Sequence, residues 1–573
     1  MFSAWQVGFI LKINITSAMN RFRNSVVFLI LLGGCSNDPL YKIYYNGNIW
    51  TGDHRNPFAT AIVVNDGSII YVGNDADALQ MAFANSTKIN LLGNFVTPGL
   101  IDNHVHFISG GLQLSRIDLN NVFSKKEFQK RLIKYDKNLP KGAWILGGNW
   151  DHELWGGQYP DKSWIDDVIS NRPVLLDRLD GHMALANSEA LVIAKISSDI
   201  EDPDGGIIIK DEKNNPTGIL KDNAIRLVSS CIPDPSQIEM DDALNAAMNH
   251  AISLGVTQVH DMGSWDDLQT YIRNHKNGNL KIRIKIYPWY TSYKSVIQYV
   301  KQNGSGDDWL RWDGLKGMID GSLGSKTAWM HEPYLLDDFA NEEEKLSTLG
   351  ILTIEDTIEF KRILRMTDSV GIQHAVHAIG DRANDWILNE YVKINKEIGD
   401  RERRPRIEHS QHLSKTALKR FGEENIIPSM QPYHLYDDGS WAHKRIGNDL
   451  LSRSYAFKTL LESGANVTFG SDWTVAPLNP MLGMYAAVTR RTRDGKNQEG
   501  WFPLEKITIE DALKSYTIRN AYAAFWEGKT GSIEKGKYAD FVVHSTNLLQ
   551  VAPEKIKESH VIRTVISGKD YQF

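Results

Sequence analysis

Eight short apolar runs separated by helical stretches constrain the fold of this 573-residue chain more than any other feature. Strands alternating with helices are typical of a parallel sheet covered by helices. We therefore predict an α/β fold, a (β/α)8 TIM barrel over residues 98–527, with an inserted α/β subdomain at about residues 108–235, because a bare barrel needs only about 250 residues. The predicted strands are residues 96–102, 256–261, 282–287, 315–320, 372–377, 404–409, 426–431 and 467–472.

Both ends of the chain have a different pattern, with short β-like runs that are broken by turn signals. Asn46-Gly47 and Asn65-Asp66-Gly67 follow such runs near the amino terminus, and Gly-containing turns also interrupt the last 46 residues. We predict a small β-sandwich domain built from both chain ends, residues 40–97 plus 528–573.

The first 35 residues have the pattern of a signal peptide of the lipoprotein type. Arg21 and Arg23 precede an apolar run, and Gly33-Gly34 precede Cys35. That run is much shorter than the roughly 20 residues that cross a bilayer. We expect export and lipid anchoring to the bacterial cell envelope through Cys35, with Met19 as the more natural start. A plain signal peptide and a buried terminal segment are the alternatives.

The charge balance excludes one class of partner. With 64 Lys and Arg against 70 Asp and Glu, the formal net charge is −6, and no long basic run occurs. The electrostatic footprint of a nucleic-acid-binding protein is therefore missing. We expect a small-molecule substrate, no nucleic acid, and membrane contact only through the lipid anchor.

Polar residues stand at the ends of four predicted strands. The first ends in His104 and His106, which point to one side of an extended chain and can reach one metal ion. A bare His-x-His is a weak signal, but His377, His409 and Asp472 end three further strands. Barrel active sites are built at this end of the strands. The five residues together therefore predict a metal site.

Together with the sequence Pro-Gly-Leu-Ile-Asp-Asn-His-Val-His at residues 98–106, these positions resemble the amidohydrolase superfamily over nearly all of the mature chain. Residues 179–188, 320–328 and 377–383 are similar to the branch that includes N-substituted formamide deformylases. The resemblance implies a (β/α)8 barrel, a β-sandwich from both chain ends, and one or two divalent metals per chain, with zinc expected. Dimers are common in the family, which leaves a homodimer open, and the branch is too broad to fix the substrate.

The resemblance also implies roles for two further residues. In binuclear members a lysine on the fourth strand is carboxylated and bridges two metals, which makes Lys316 a predicted carbamate ligand. Pairing of Lys316 with a carboxylate such as Asp320 is the alternative. His182, in the insertion, is predicted to contact the substrate carbonyl, or else to be structural. His374 and His412 fall on the opposite strand face from the predicted ligands and are expected to have supporting or structural roles.

We therefore expect a metal-dependent hydrolase that cleaves a carbon–nitrogen bond of a small non-peptide amide, an N-formyl or N-acyl amine. Metal-activated hydroxide would be the nucleophile. Asp472 would accept the water's proton and pass it to the leaving nitrogen, while a second metal or His182 polarises the carbonyl. A cyclic amidase, a deaminase or an esterase with the same site is the alternative, and a catalytically inactive binding protein is a further one.

Overall fold

The computed structural model describes residues 41–573, apart from residues 138, 141, 179–182, 204–205, 325, 336–348 and 400. The predicted signal peptide with Cys35 and the predicted substrate-contacting His182 lie outside the described residues. Within the described part of the chain, no helix has both the length and the apolar character that crossing a membrane requires.

Nine strands form two parallel sheets at the centre of a mixed α/β fold. Numbered in chain order, they are β1 Leu100–Val105, β2 Val256–Asp261, β3 Arg283–Ile286, β4 Leu310–Arg311, β5 Gly314–Met318, β6 Gln373–Ala378, β7 Arg406–His409, β8 Ile427–Met430 and β9 Thr468–Phe469. The strand order is β4-β3-β2-β1 in one sheet and β5-β6-β7-β8-β9 in the other.

The two sheets meet at isolated parallel bridges, between Trp289 and Lys316 and between Val105 and Trp473. The described strands do not form a single closed sheet, so the predicted barrel is found as two sheets. The strand predicted at residues 315–320 is preceded by β4, which the sequence did not predict. Trp312 and Asp313 separate β4 from β5, and the Trp312 indole Nε1 donates a hydrogen bond of 2.8 Å to the Gly304 carbonyl oxygen.

Helices surround these sheets. The helix Gln237–Ser253 begins at a capping box formed by Ser236 and Glu239, and its buried residues include Leu244, Met248 and Ala251, which recur at helical spacing. The other helices beyond the insertion are Asp75–Gln80, Phe107–Ser115, Trp265–Lys276, Tyr293–Asn303, Thr357–Asp368, Asp381–Ile398, Ala417–Glu423, Pro432–Asp438, Asn448–Leu451, Phe457–Glu462, Pro480–Thr489, Ile509–Ser515 and Ile518–Ala523, with 3₁₀ turns at Tyr290–Ser292, Ala442–Lys444, Pro503–Glu505 and Pro553–Glu558.

The segment between β1 and β2 contains a sheet of its own. Its strands, in sheet order, are Gly206–Lys210, Pro216–Asp222, Met183–Ala186, Val174–Arg178, Ile145–Trp150 and Ile117–Asp118. The helices Lys125–Asp136, Ser163–Asp166, Ser188–Ile193 and Ile225–Ser229 and the 3₁₀ turn His152–Trp155 accompany it. Phe128, Leu132 and Trp150 pack in an apolar cluster of this segment, which therefore buries its own apolar side chains.

Strands from both ends of the chain pair in one six-stranded sheet. In sheet order they are Lys569–Gln572, Val561–Ile566, Phe541–His544, Phe95–Pro98, Asn48–Trp50 and Phe58–Ala59. A four-stranded sheet, Ser68–Gly73, Ala61–Asn65, Lys42–Tyr45 and Thr87–Asn90, contributes to the same apolar cluster. The strand predicted at residues 96–102 is consequently divided, because Pro98 pairs with Phe541 whereas β1 begins at Leu100.

Candidate metal centre

Three of the predicted ligands come together at the carboxyl ends of β1, β7 and β9. His104, His409 and Asp472 are buried, and one nitrogen or carboxylate oxygen of each lies within 4.8 Å of the others. Asp472 Oδ1 is 3.5 Å from His104 Nε2 and 3.3 Å from His106 Nε2. The same oxygen is buried without a hydrogen-bond partner. Imidazole nitrogens around such an oxygen fit a divalent ion such as zinc.

Three imidazoles are oriented by acceptors on the side of the ring away from Asp472. Each acceptor fixes the hydrogen on Nδ1 and leaves the Nε2 lone pair available, as metal-binding histidines require. The contacts are His104 Nδ1 to Glu408 Oε2 at 2.6 Å, His106 Nδ1 to the Met262 carbonyl oxygen at 3.1 Å, and His409 Nδ1 to Gln431 Oε1 at 2.8 Å.

His377 lies beside this group but is held differently. Its ring centroid is 4.4 Å from that of His409. Its Nε2 donates a hydrogen bond of 3.1 Å to the Gly321 carbonyl oxygen, which leaves Nδ1 as the free nitrogen, and Nε2 is also 3.3 Å from Asp320 Oδ1. The structure thus places His377 next to the predicted site with a different ring nitrogen available from that of the other histidines.

Lys316 is buried on β5, and its Nζ is 3.5 Å from His104 Nε2. The alternative pairing with Asp320 is not what the structure contains, because the Asp320 carboxylate accepts hydrogen bonds from the backbone N–H groups of Trp329, Ile379 and Gly380. Burial lowers the pKa of Lys316 to about 8. The neutral amine is the form that reacts with carbon dioxide, and it is therefore a larger fraction of Lys316 than of an exposed lysine.

The protonation states suit cation binding. Burial lowers the pKa of His104 to about 4, which keeps the imidazole neutral. Although burial acts in the opposite direction, the neighbouring His104 and His106 hold the pKa of the Asp472 carboxyl well below its usual value. A neutral imidazole and an ionised carboxylate are the forms that bind a metal, whereas, against the opposing effect of burial, the neighbouring Asp472 raises the pKa of His106, so a metal bound there would displace a proton.

The backbone is strained at two of the same residues. His409 has φ of 73° and Asp472 has φ of 59°, in the left-handed region that side chains other than glycine rarely adopt. The Asp472 backbone N–H donates a hydrogen bond of 2.7 Å to the His104 carbonyl oxygen. Strain of this kind is retained where neighbouring structure enforces it, and it concentrates at functional sites.

The predicted ligands line a cavity of about 520 Å³. Its apolar wall is formed by Trp289, Met318, Leu323, Ile379, Trp441 and Val475. Among the described residues that line it, Lys316 is the single lysine or arginine. The cavity can therefore accept a small ligand with an apolar part.

Sequence reasoning missed three residues of this site. Glu408 and Gln431 orient ligand histidines, and His434 lines the cavity with Nε2 3.8 Å from Asp472 Oδ2. Glu408 directly precedes His409 on a strand whose end was already expected at the site, which is the signal that could have found it, whereas Gln431 and His434 follow β8, at whose end no site residue was predicted. His182 lies outside the described residues, so its contact with substrate stays a prediction.

Comparisons with known proteins found matches over most of this chain. A model described as "Amidohydrolase family" matches residues 87–570. Protein LONG AFTER FAR-RED 3 of Arabidopsis thaliana is 40% identical over 537 residues, 91% of this chain and 90% of that protein. An N-substituted formamide deformylase of Arthrobacter pascens is 25% identical over 534 residues, 91% of this chain and 96% of that enzyme. The crystal structure of an uncharacterized metal-dependent hydrolase from Pyrococcus furiosus matches with a TM-score of 0.73 and 26% identity, covering 89% of this chain and all of that one.

Proposed function

Because the chain belongs to the amidohydrolase family and is a hydrolase, we propose that it cleaves a carbon–nitrogen bond of a small non-peptide amide, an N-formyl or N-acyl amine. The observation that carries this proposal is the unpartnered Asp472 Oδ1, which faces the Nε2 atoms of His104 and His106 inside the cavity. The similarity to an N-substituted formamide deformylase supports the choice of an amide.

The chain's own residues divide the work as follows. His104, His106, His377, His409 and Asp472 would hold a divalent cation. A divalent ion bound there would supply positive charge that lowers the pKa of water towards about 7 and polarises a carbonyl group. Asp472 takes a proton from the attacking water and delivers it to the leaving nitrogen, so one carboxylate acts as base and then as acid.

We also infer that the two parallel sheets work as one (β/α)8 barrel. Hydrogen bonds connect the first strand to the last at the site itself, because the His106 backbone N–H donates to the Trp473 carbonyl oxygen at 2.6 Å and that of Asp472 donates to His104. These hydrogen bonds support a rigid placement of the site residues that follow the first and the last strand of the barrel.

We propose that the centre would take two divalent ions, zinc in the native state, and that Lys316 would contribute to holding them as a carbamate. Metal analysis of replete protein should give close to two ions per chain. Lys316→Ala should bind less metal and regain part of its activity with added short carboxylates, which can occupy the vacated position. Lys285→Met, at another buried lysine, is the matched control and should keep its metal. One ion per chain beside an unmodified Lys316 would contradict the binuclear arrangement.

The substrate class is tested with metal-reconstituted protein and a panel of N-formyl amines, N-acyl amines, cyclic amides, esters and amino-substituted rings. Release of amine together with formate or another carboxylate is the expected result. If ammonia is released from a ring compound and the amides are untouched, the deaminase alternative replaces this proposal.

We propose in addition that the protein is exported and lipid-anchored at Cys35. Cys35→Ala should release it from the membrane fraction and leave the precursor unprocessed. Unchanged membrane association together with unchanged processing of this variant would refute the anchor.

A further inference from the structure

His434 has no role in the chemistry proposed above, although it lies at the site. It belongs to the helix Pro432–Asp438, which begins directly after β8, and it lines the cavity. Its side chain is 15% exposed, and its Nε2 is fully buried without a hydrogen-bond partner. A buried polar atom left unpaired costs free energy, and native proteins retain few of them. The atom is therefore a candidate for contact with a ligand.

The position of His434 differs from that of the predicted metal ligands. Asp472 uses Oδ1 to face His104 Nε2 and His106 Nε2, whereas its Oδ2 lies 3.8 Å from His434 Nε2. A separation of 3.8 Å is too long for a direct hydrogen bond. His434 thus stands at the second oxygen of Asp472, away from the imidazoles that face the first.

The neighbours of His434 fix its position relative to the other residues of the site. Its backbone N–H donates to the Gln431 carbonyl oxygen at 3.1 Å, and the side chain of the same Gln431 orients His409. The rings of His434 and His409 are nearly parallel, at 14° and 6.3 Å between centroids. On the same wall of the cavity, the Gln411 side-chain amide donates a hydrogen bond of 2.8 Å to Asp438 Oδ2 and is therefore not available as a donor to a ligand. His434 Nε2 is therefore held in a fixed position beside the second oxygen of the proton-transferring carboxylate.

We propose that His434 is a catalytic residue whose Nε2–H donates a hydrogen bond to the scissile carbonyl oxygen, an inference that rests on the proposed amide hydrolysis. With the leaving nitrogen at Asp472 Oδ2, where it receives its proton, the carbonyl oxygen of the same amide group lies towards His434. A donor at this place is strongest when negative charge develops on that oxygen, so it accelerates the reaction more than it improves substrate binding.

The test compares His434→Phe, which keeps an aromatic ring but removes the donor, with His434→Gln, which keeps an N–H group. With metal-replete protein and N-butylformamide, His434→Phe should lower kcat by about 10²–10³-fold, change KM only a few-fold and leave the metal content intact. His434→Gln should recover part of kcat. His443→Phe, at an exposed histidine in the turn Ala442–Lys444, is the matched control.

Two further measurements separate this proposal from the proposed function. Butyl formate has the same carbonyl oxygen but no leaving nitrogen, so His434→Phe should slow it by a similar factor. If only the amide is slowed, His434 serves the leaving group and the proposal is wrong. Acetohydroxamate binding by calorimetry needs no turnover and should weaken about tenfold in His434→Phe. Equal binding by both proteins overturns the role of His434 even if no panel compound is hydrolysed, and metal loss in the variant would make His434 a ligand instead.

Discussion

Polar groups inside the two parallel sheets behave differently at the two ends of the strands. At the amino-terminal ends of β5 and β6, Asp313 and Gln373 bind Lys285 of β3, whose Nζ donates to Gln373 Oε1 at 2.6 Å and pairs with Asp313 at 3.2 Å. At the carboxyl-terminal ends, Asp472 Oδ1 and His434 Nε2 are buried without partners. Buried groups that satisfy one another stabilise a fold, whereas unsatisfied groups at a cavity, as these two are, can be completed by a ligand.

The two regions are joined through Tyr287 and Arg406, because the Tyr287 hydroxyl donates to Gln373 Oε1 at 2.8 Å and accepts from Arg406 Nη1 at 3.2 Å. Arg406 Nε donates to Glu408 Oε1 at 2.8 Å, and the other oxygen of Glu408 accepts from His104 Nδ1 at 2.6 Å. Burial alone would raise the pKa of Glu408, but the adjacent Arg406 holds it well below the usual value. The satisfied network therefore ends in a carboxylate that orients a predicted metal ligand.

The largest effect is expected where the unpartnered oxygen is altered. Asp472→Asn keeps an oxygen that can approach a cation, but an amide cannot accept the water's proton. Loss of general acid–base catalysis is typically worth about 10²–10⁴-fold, and the lost charge adds to it, so kcat should fall by at least about 10³-fold while the fold and much of the metal remain. A variant with kcat close to wild type would show that Asp472 is not the proton carrier.

A smaller effect is expected at the junction of the two regions. Glu408→Gln keeps the size of the side chain but removes the charge that Arg406 and His104 both contact. Changes to such supporting groups typically weaken metal affinity about 10–100-fold. Competition with a chromophoric chelator measures this change.

The control for Glu408→Gln is Glu390→Gln. Glu390 is also buried and ion-paired, accepting from Lys393 at 2.8 Å, but it lies on the helix Asp381–Ile398. The Glu390→Gln variant should have a lower free energy of unfolding than wild type but the same metal affinity. If both variants bind metal equally well, Glu408 only stabilises the fold and the proposed connection is wrong.

The sequence predicted elements where the signal is local and failed where pairing decides. The apolar run at residues 256–261 is β2 with the same bounds. The run at residues 96–102 is divided because Phe95–Pro98 pairs with a strand more than 400 residues later, which periodicity cannot reveal. The two-residue strand β4 is too short to give a periodic pattern.

The site shows the same limit. Placing His104, His409 and Asp472 at strand ends needed only strand positions, and the structure brings these side chains together. Whether they and Lys316 bind metal stays a prediction. His434 was missed because it lies in the helix after β8 and its importance depends on its distance from Asp472, which spacing along the chain does not contain, whereas Glu408 directly precedes the predicted ligand His409.

The smallest effect on activity is expected at a satisfied histidine on the same strand as a predicted ligand, where the quantity that changes is stability. On β6, His377 reaches the cavity, whereas His374 Nε2 contacts Thr367 Oγ1 at 2.7 Å and its ring stacks on Tyr391. His374 therefore has the structural role expected of it. Burial lowers its pKa to about 4 from an ordinary value of 6.5. The folded state consequently resists protonation of His374 in a pH range where the unfolded chain accepts the proton.

The sign of the pH effect follows from this difference. Between about pH 6.5 and pH 4 the unfolded state binds the additional proton, so the contribution of His374 to the free energy of unfolding is lost on acidification, by at most about 1.4 kcal/mol per pH unit. Burial raises the pKa values of Asp102 and Asp261 to about 7, and these groups act in the opposite direction. The total slope therefore mixes both signs, and only a difference between two proteins isolates His374.

We expect His374→Gln to be less stable than wild type at pH 7, with the gap narrowing on acidification because glutamine does not titrate. Urea unfolding of both proteins at half-unit intervals from pH 6.5 to pH 4 measures that gap. A gap that stays constant over this range would mean that His374 takes up its proton equally in the folded and unfolded states. The difference between satisfied and unsatisfied polar groups would then not extend to the two histidines of β6. Burial with a hydroxyl partner would not be sufficient to keep an imidazole neutral in this fold.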